Sequence, residues 1–196
     1  VALIEDGFVT LDTPVDAGNG KRQYSTKVFT DATKGGYGLI DVRKAFEKSS
    51  NVAFAKLAVE YYSNNEKKYV DRLHNMKIGE KFGLDIMGEG RSIIHSPGDV
   101  SWSKLTLPMM AMGYASLLTP LHTLAFYNAI ANRGKMMKPF FVERLEKHGV
   151  AEKEFKPQEM SGSICSESTI KAVHEALRGV VEHGTAKSIN DPRYKI

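Results

Sequence analysis

The chain has 196 residues, 42% of them hydrophobic and 26% charged, so it is long enough for one globular domain with a buried core. Its net charge of +4 arises from 27 basic and 23 acidic residues spread along the sequence, which gives no indication of nucleic-acid binding. Cys165 is the single cysteine, so an internal disulfide is excluded. The histidines are scattered and the sequence has no P-loop motif, so neither a metal site nor a cofactor is predicted.

The sequence of the first part of the chain predicts the end of a helix, followed by turns and a short strand. Residues Val1–Glu5 have the apolar spacing of a helix that Gly7 stops, and residues 10–27 are rich in turn-forming glycine, proline and asparagine. We expect a short strand over Tyr24–Phe29 and a loop over the glycine-rich segment 34–38.

Three helices are predicted in the next stretch. Asp41 is a favourable N-cap for a helix over Val42–Lys48, and a second helix follows over Val52–Tyr62. A third helix over Glu66–Met76 begins after one of two consecutive asparagines. Apolar residues of the second helix recur at i, i+3, i+4 and i+7 and therefore share one face: Phe54, Leu57, Ala58 and Tyr61.

The middle of the chain combines a long loop with two further helices. Residues 79–100 contain many glycines and predict a loop with little regular structure. A helix is expected over Leu105–Ala115, starting near Pro108. Thr119–Pro120 begins another helix, which Gly134 ends. The prolines interrupt this most apolar region, which therefore lacks the run of about 20 apolar residues that a membrane span needs.

The last third predicts strands followed by one long helix. A strand is expected over Met136–Leu145, with a hairpin turn at His148–Gly149. The polar segment Ala151–Ser163 is expected to be irregular. Ser166 is a favourable N-cap for a helix over Glu167–His183, whose apolar residues again recur at helical spacing.

The triplet Ser49-Ser50-Asn51 allows two interpretations. Serine and asparagine are strong N-caps, and an apolar helix begins directly after them, so the triplet could be a helix cap alone. Ser-x-Asn is not a rare pattern, because it recurs at 63–65 and 188–190. The chemical interpretation is that a hydroxyl relays a proton to an activated serine and an amide holds a peptide substrate in register.

Several ordered segments resemble class B penicillin-binding proteins, and most closely their division-type members. Lys48–Ala58 resembles the segment of that family in which Ser-Ser-Asn precedes Val-x-Phe-x-x-Leu-Ala. The other matching segments are Asp31 with the turn leading to Gly38–Ile40, Met112–Leu121, Tyr127–Pro139 and Val180–Ala186. Because these segments run nearly from end to end in family order, the resemblance covers almost the whole chain.

The resemblance implies an α/β (α+β) fold of the serine β-lactamase/transpeptidase-like kind, with an antiparallel sheet beside a helical subdomain. The chain would be mainly that helical subdomain, with a few short strands. The implied reaction is D,D-transpeptidation, in which a serine attacks a D-Ala-D-Ala peptide and passes the acyl group to an amine, and β-lactams trap the same serine. By position, Ser49 would be the catalytic proton-relay hydroxyl, Asn51 the substrate-binding amide and Ser50 a structural spacer.

The same resemblance implies a location and partners for the parent protein. The family is anchored by an N-terminal helix and acts on the periplasmic side of the cytoplasmic membrane. Its ligands would be peptidoglycan stem peptides and β-lactams, and proteins of the division complex are candidate partners. No nucleic acid is expected as a partner.

The chain departs from the family pattern in its catalytic motifs. The Ser-x-x-Lys nucleophile would precede residue 1 and the Lys-Thr-Gly strand would follow residue 196, so we expect residues 1–196 to be a partial transpeptidase domain that is inactive alone. Ser101-Trp102-Ser103-Lys104 satisfies Ser-x-x-Lys by chance, since Pro108 disfavours a helix through it. We expect a surface loop there, with Trp102 as a packing anchor.

Two alternative functions remain open from the sequence. One is a non-catalytic helical module that makes protein contacts in a division complex. The other is a β-lactam sensor or β-lactamase-like protein, which shares acylation but differs in the fate of the acyl group. Segment 79–100 does not resemble the β-lactamase loop that carries a deacylating glutamate, which argues against the hydrolase.

Overall fold

The computed structural model describes residues 1–84 and 86–193. Within these ranges the chain forms seven α-helices, a short 3₁₀ helix and ten short strands. The helices are α1 Ala2–Glu5, α2 Val42–Glu47, α3 Asn51–Tyr62, α4 Glu66–Asn75, α5 Thr106–Ala111, α6 Pro120–Ala131, α7 Glu167–Glu182 and the 3₁₀ helix Lys187–Ile189.

The strands form five antiparallel pairs, each of two strands, within the described residues. The strands are β1 Pro14–Asp16, β2 Lys21–Tyr24, β3 Lys27–Thr30, β4 Leu39–Asp41, β5 Ile93–Ile94, β6 Ser116–Leu117, β7 Lys135–Met137, β8 Arg144–Lys147, β9 Val150–Glu154 and β10 Glu159–Ser163. Strand β1 pairs with β4, β2 with β3, β5 with β6, β7 with β10 and β8 with β9. The expected mixed α/β architecture, with helices as the larger elements, is confirmed.

The helix starts predicted from capping residues are confirmed. In each case a side-chain oxygen accepts a hydrogen bond from the backbone N–H three residues on, which satisfies one donor that the helix itself leaves unpaired. The bonds are Lys44 N to Asp41 at 2.6 Å, Lys68 N to Asn65 at 3.3 Å, His122 N to Thr119 at 3.3 Å and Thr169 N to Ser166 at 3.3 Å.

The single strand predicted over Tyr24–Phe29 is wrong, because this segment turns back on itself. Strands β2 and β3 form a hairpin in which Tyr24 lies opposite Lys27. The two residues between them form the turn, and Ser25 has a positive φ of 50°. Two-residue loops of this kind are the usual connection of tight hairpins.

The strand predicted over Met136–Leu145 is also wrong, since it is two strands with an irregular connection. Strand β7 ends at Met137, residues 138–143 have no regular structure, and β8 begins at Arg144. Pro139 lacks the N–H that a continuing ladder would require. The hairpin turn predicted at His148–Gly149 is confirmed, because it joins β8 to β9.

The prediction that segment Ala151–Ser163 is irregular is wrong, because it contains β10 and all of β9 except its first residue. Every residue of β9 is exposed, so this strand has no apolar face that could show as alternation in the sequence. Helix α5 is shorter than predicted: it starts at Thr106, two residues before Pro108, and ends at Ala111. Gly113 follows with a φ of 87°, which a helix cannot continue through.

Helix α7 joins two hydrophobic clusters into one core. Its Ala176 packs in a cluster with residues of β1, α2 and α3, and its Val173 packs in a second cluster with residues of α6 and β7. Both residues are buried. This arrangement fixes α2, α3 and α6 around one helix. None of the helices in the described ranges combines the length and apolar character of a membrane span.

Candidate functional site

The predicted site lies at a tight elbow between α2 and α3. Helix α2 ends in a Schellman motif: the Ser49 N–H donates to the Phe46 carbonyl at 3.0 Å, and the Ser50 N–H donates to the Ala45 carbonyl at 2.9 Å. This motif places Ser49 in the left-handed region, with a φ of 52°. Because serine adopts that region at a cost, the elbow is a locally strained position held by the helix ends around it.

Ser50 is a buried anchor of the elbow, with 1% of its surface exposed. Its hydroxyl oxygen accepts a hydrogen bond from the Ala53 N–H at 3.1 Å and thereby caps α3. The same hydroxyl donates to the Asp31 carboxylate at 3.0 Å, and that carboxylate also accepts from the Val52 N–H at 3.0 Å. A carboxylate at this helix N-terminus is also favoured by the helix dipole.

Ser49 and Asn51 present polar groups at the surface of the same elbow. The Ser49 side chain is exposed, and within the described part of the chain its hydroxyl makes no hydrogen bond. The Asn51 Nδ2 donates to the Thr30 carbonyl at 3.0 Å, which fixes the side chain. Its Oδ1 and second N–H have no partner among residues 1–84 and 86–193. The elbow therefore offers a hydroxyl and a positioned amide side by side.

A pocket of about 300 Å³ opens beside the elbow and brings the three predicted residues together. Its other walls come from α2, α3, the end of α5, α6 and α7: Phe46, Phe54, Ala111, Met112, Tyr127, Leu177 and Val180. The pocket thus combines a polar edge with an apolar wall, which is the usual composition of a site for an organic ligand.

Sequence reasoning did not identify Met112 and Tyr127 as lining residues. Both lie within segments that the family resemblance had singled out, Met112–Leu121 and Tyr127–Pro139, but only as matching motifs. Nothing in their spacing indicates a common pocket, because α5 and α6 are far from the elbow in sequence and meet it only in the tertiary structure. The family resemblance likewise includes Asp31 only in a matching segment and implies no role for it.

Two contacts connect the elbow to the end of α7. The Lys48 Nζ donates to the His183 carbonyl at 2.9 Å, and the Thr185 N–H donates to the Glu47 carbonyl at 3.1 Å. A cation at the carboxyl end of a helix is favoured by the exposed carbonyls and the helix dipole there. These bonds hold the segment after α7 beside Ser49.

The chance motif Ser101-Trp102-Ser103-Lys104 forms a loop before α5, as predicted, and is not among the residues that line the pocket. The Ser101 hydroxyl lies 2.8 Å from His95 Nδ1. The Trp102 Nε1 donates to Glu66 at 2.6 Å, and the ring packs against a buried cluster. Trp102 is therefore the packing anchor that was expected.

The two other Ser-x-Asn patterns lie at helix ends, away from the site pocket. Ser63 follows the end of α3, Asn65 caps α4, and residues 188–190 belong to the 3₁₀ helix and its end. Across residues 1–84 and 86–193, no cluster of three or more histidine, cysteine, aspartate or glutamate side chains has the arrangement of a metal site. Of the three patterns, only Ser49-Ser50-Asn51 lines the site pocket.

Comparison with known proteins gives a family match over the whole chain. The family described as penicillin binding protein transpeptidase domain matches residues 1–196. A probable peptidoglycan D,D-transpeptidase PenA of Neisseria flavescens is 28% identical over 148 residues, which cover 76% of this chain and 33% of that protein. The chain spans about a quarter to a third of the length of the curated relatives it matches.

Solved structures show the same fold. The D,D-transpeptidase domain of a peptidoglycan glycosyltransferase from Eggerthella lenta aligns with a TM-score of 0.82 at 24% identity, covering 97% of this chain and 48% of that one. Penicillin binding protein 3 from Mycobacterium tuberculosis, complexed with aztreonam, aligns with a TM-score of 0.73 at 26% identity, covering 98% and 40%. The expected β-lactamase/transpeptidase-like fold is thereby confirmed.

Proposed function

The chain belongs to the penicillin-binding protein transpeptidase family, and we propose that it is part of a D,D-transpeptidase that cross-links peptidoglycan stem peptides in cell-wall synthesis and septation. The observation that carries the proposal is the elbow. The exposed Ser49 hydroxyl and the positioned Asn51 amide lie in one pocket there, while the buried Ser50 holds the turn.

In the proposed reaction, the nucleophile comes from a part of the parent protein outside this chain. Its serine oxygen attacks the carbonyl of the penultimate D-alanine, the peptide bond breaks, and the terminal D-alanine leaves with the proton lost by the serine. An amine of a second stem peptide then displaces the serine and forms the cross-link. Ser49 passes the proton between the reacting groups, because general acid–base groups must lie within hydrogen-bond reach of the proton they move.

Asn51 binds the substrate peptide in this proposal. Its Nδ2 is already held by the Thr30 carbonyl, so the amide can receive a backbone group of the stem peptide without first losing side-chain freedom. The apolar wall formed by Phe54, Met112 and Tyr127 excludes water from one side of the bound peptide. Ser50 contributes only through the geometry of the elbow.

The parent protein would also bind β-lactams and act on the periplasmic side of the cytoplasmic membrane, anchored by an N-terminal helix. The aztreonam complex of the mycobacterial relative supports the first point. Proteins of the division complex are the proposed partners, and a role in division follows from the division-type resemblance of residues 127–139.

Labelling with fluorescent penicillin tests the proposal. The full-length parent protein should acquire one acyl group per molecule, on a serine outside residues 1–196, and should lose it slowly. The 196-residue chain alone should show no adduct by intact mass. Fast loss of the label would instead favour a β-lactamase-like protein, and an unlabelled full-length protein would favour a non-catalytic interaction module.

A further inference from the structure

An apolar surface without a partner in the described structure surrounds the connection between β7 and β8. Side chains of this connection and of its neighbours are exposed although they are large and hydrophobic: Leu124, Met137, Phe140, Phe141, Val142 and Leu145. Scattered exposed apolar residues are ordinary, but contiguous ones commonly mark an interaction site.

Three pockets meet at Phe140, and together they form what we call the Phe140 groove. The first, of about 540 Å³, lies against α6 and includes Leu124 and Asn128. The second, of about 320 Å³, lies between Lys138 and the strand end at Phe155. The third, of about 220 Å³, is walled by apolar side chains. Because Phe140 lines all three, the pockets adjoin one another at this side chain.

The charge of the middle pocket is positive. Lys138, Lys153 and Lys156 line it, and none of the three forms an ion pair among the described residues, whereas the nearby Lys135 lies 3.8 Å from Glu159. Glu154 is the one carboxylate in the lining. An unneutralised group of ammonium ions in a recess attracts anionic ligands and speeds their association.

The backbone beside the pockets is also available. The N–H groups of Phe140, Phe141 and Val142 donate no hydrogen bond within the described part of the chain. The flanking residues are held, because the Lys138 N–H donates to the Gln158 carbonyl and the Phe155 N–H to the Glu143 carbonyl, both at 2.8 Å. Free main-chain donors between fixed ends are suited to an extended peptide, which binds through its own backbone.

We propose that the Phe140 groove binds an acidic peptide segment of a partner protein, with apolar side chains in the outer pockets and carboxylates at the three lysines. The apolar outer pockets, the positive middle pocket and the backbone N–H groups without a partner in the described structure together favour an acidic peptide with apolar residues over a basic or purely polar peptide. The inference goes beyond the transpeptidase proposal and does not depend on it, because none of the groove residues is assigned a part in acyl transfer.

A fluorescent peptide with the sequence Leu-Glu-Glu-Glu-Leu tests the inference by anisotropy with the 196-residue chain. We expect saturable binding that weakens as salt is added, since screening reduces the attraction between exposed charges. A variant with Lys138→Glu, Lys153→Glu and Lys156→Glu should bind at least about tenfold more weakly, and Phe140→Ser should also lose affinity. Melting curves of each variant check that the fold is retained.

The matched control reverses three exposed lysines elsewhere, with Lys21→Glu, Lys27→Glu and Lys187→Glu, and so changes the net charge equally. This control should bind like the unaltered chain. Equal loss in both triple variants would overturn the inference in favour of a net-charge effect. Equal binding of the basic peptide Leu-Lys-Lys-Lys-Leu would also overturn it. Absence of binding would also contradict the inference. So would binding by the 196-residue chain but not by the full-length parent protein, because that result would show that another part of the parent covers the groove.

Discussion

At the scale of single residues, adjacent serines perform opposite tasks at the elbow. Ser50 is buried and makes hydrogen bonds on both sides of the α3 start, so its role is to hold the backbone. Ser49 is exposed and lies in the left-handed region, and its hydroxyl makes no hydrogen bond among the described residues. A residue kept in a strained backbone conformation, with a side chain that makes no stabilising contact, is a candidate for a functional role.

Replacing each serine by alanine should separate these tasks. Ser50→Ala removes the α3 cap and a partner of Asp31, and should lower the free energy of unfolding by about 1 to 2 kcal/mol. Ser49→Ala removes no hydrogen bond and should change stability by less than about 0.5 kcal/mol. Urea unfolding of the two variants checks this. Equal destabilisation by both would contradict the division of roles.

At the scale of elements, helix termini explain how α1 supports α7. The Glu5 carboxylate, at the end of α1, accepts hydrogen bonds from the Ser166 N–H at 3.0 Å and from its hydroxyl at 2.7 Å. Burial alone would raise the pKa of Glu5, but hydrogen bonds from Thr169 and Ser166 outweigh it and hold the pKa below its ordinary value of 4.5. A negative charge at the N-terminus of α7 is also favoured by the helix dipole.

Glu5→Gln should therefore destabilise the chain at neutral pH but not in acid. Because the folded-state pKa of Glu5 is depressed, its contribution is present above the unfolded value of 4.5 and is lost as the pH falls through the folded pKa. Urea midpoints measured from pH 7 to pH 3 should show the difference from the unaltered chain closing in acid. Glu152→Gln, whose carboxylate makes no hydrogen bond among the described residues, should show no such change. A pH-independent difference would contradict the account.

The elements that could be predicted were those whose signal is local. Capping side chains at Asp41, Thr119 and Ser166 define helix starts within a few residues, and the structure agrees. For the hairpin of β8 and β9, the turn could be predicted but the bounds of the two strands could not. Strands exposed on both faces have no hydrophobic period in their sequence. The lining of the pocket could not be predicted from the sequence, because the packing of α6 in the folded chain brings Tyr127 to the elbow.

At the scale of the whole molecule, the elbow depends on a core organised around α7. This helix packs against α2, α6 and the cluster that contains Cys165. Cys165 is 6% exposed, and burial raises the pKa of its thiol to about 11. Because the thiolate is the reactive form, both the burial and the raised pKa slow the reaction of this thiol with alkylating reagents. The rate of that reaction therefore reports whether the core is closed.

Alkylation of Cys165 should measure the opening of this core. At pH 8 iodoacetamide should modify the native chain at least about 100-fold more slowly than the chain unfolded in urea, since both exposure and thiolate fraction are reduced. Intact mass at timed intervals gives both rates. A native rate close to the unfolded one would show that the core around α7 is not stably formed.

The rate at which a fluorescent penicillin acylates full-length variants shows whether Ser49 and Asn51 belong to a transpeptidase site. We expect the acylation rate to fall about 100-fold for Ser49→Ala, because a proton-transfer group is removed, and to fall clearly for Asn51→Ala. Ser63→Ala, which alters another Ser-x-Asn pattern, should be acylated at the unaltered rate. An unaltered rate for Ser49→Ala would contradict the claim and leave the triplet as a helix cap.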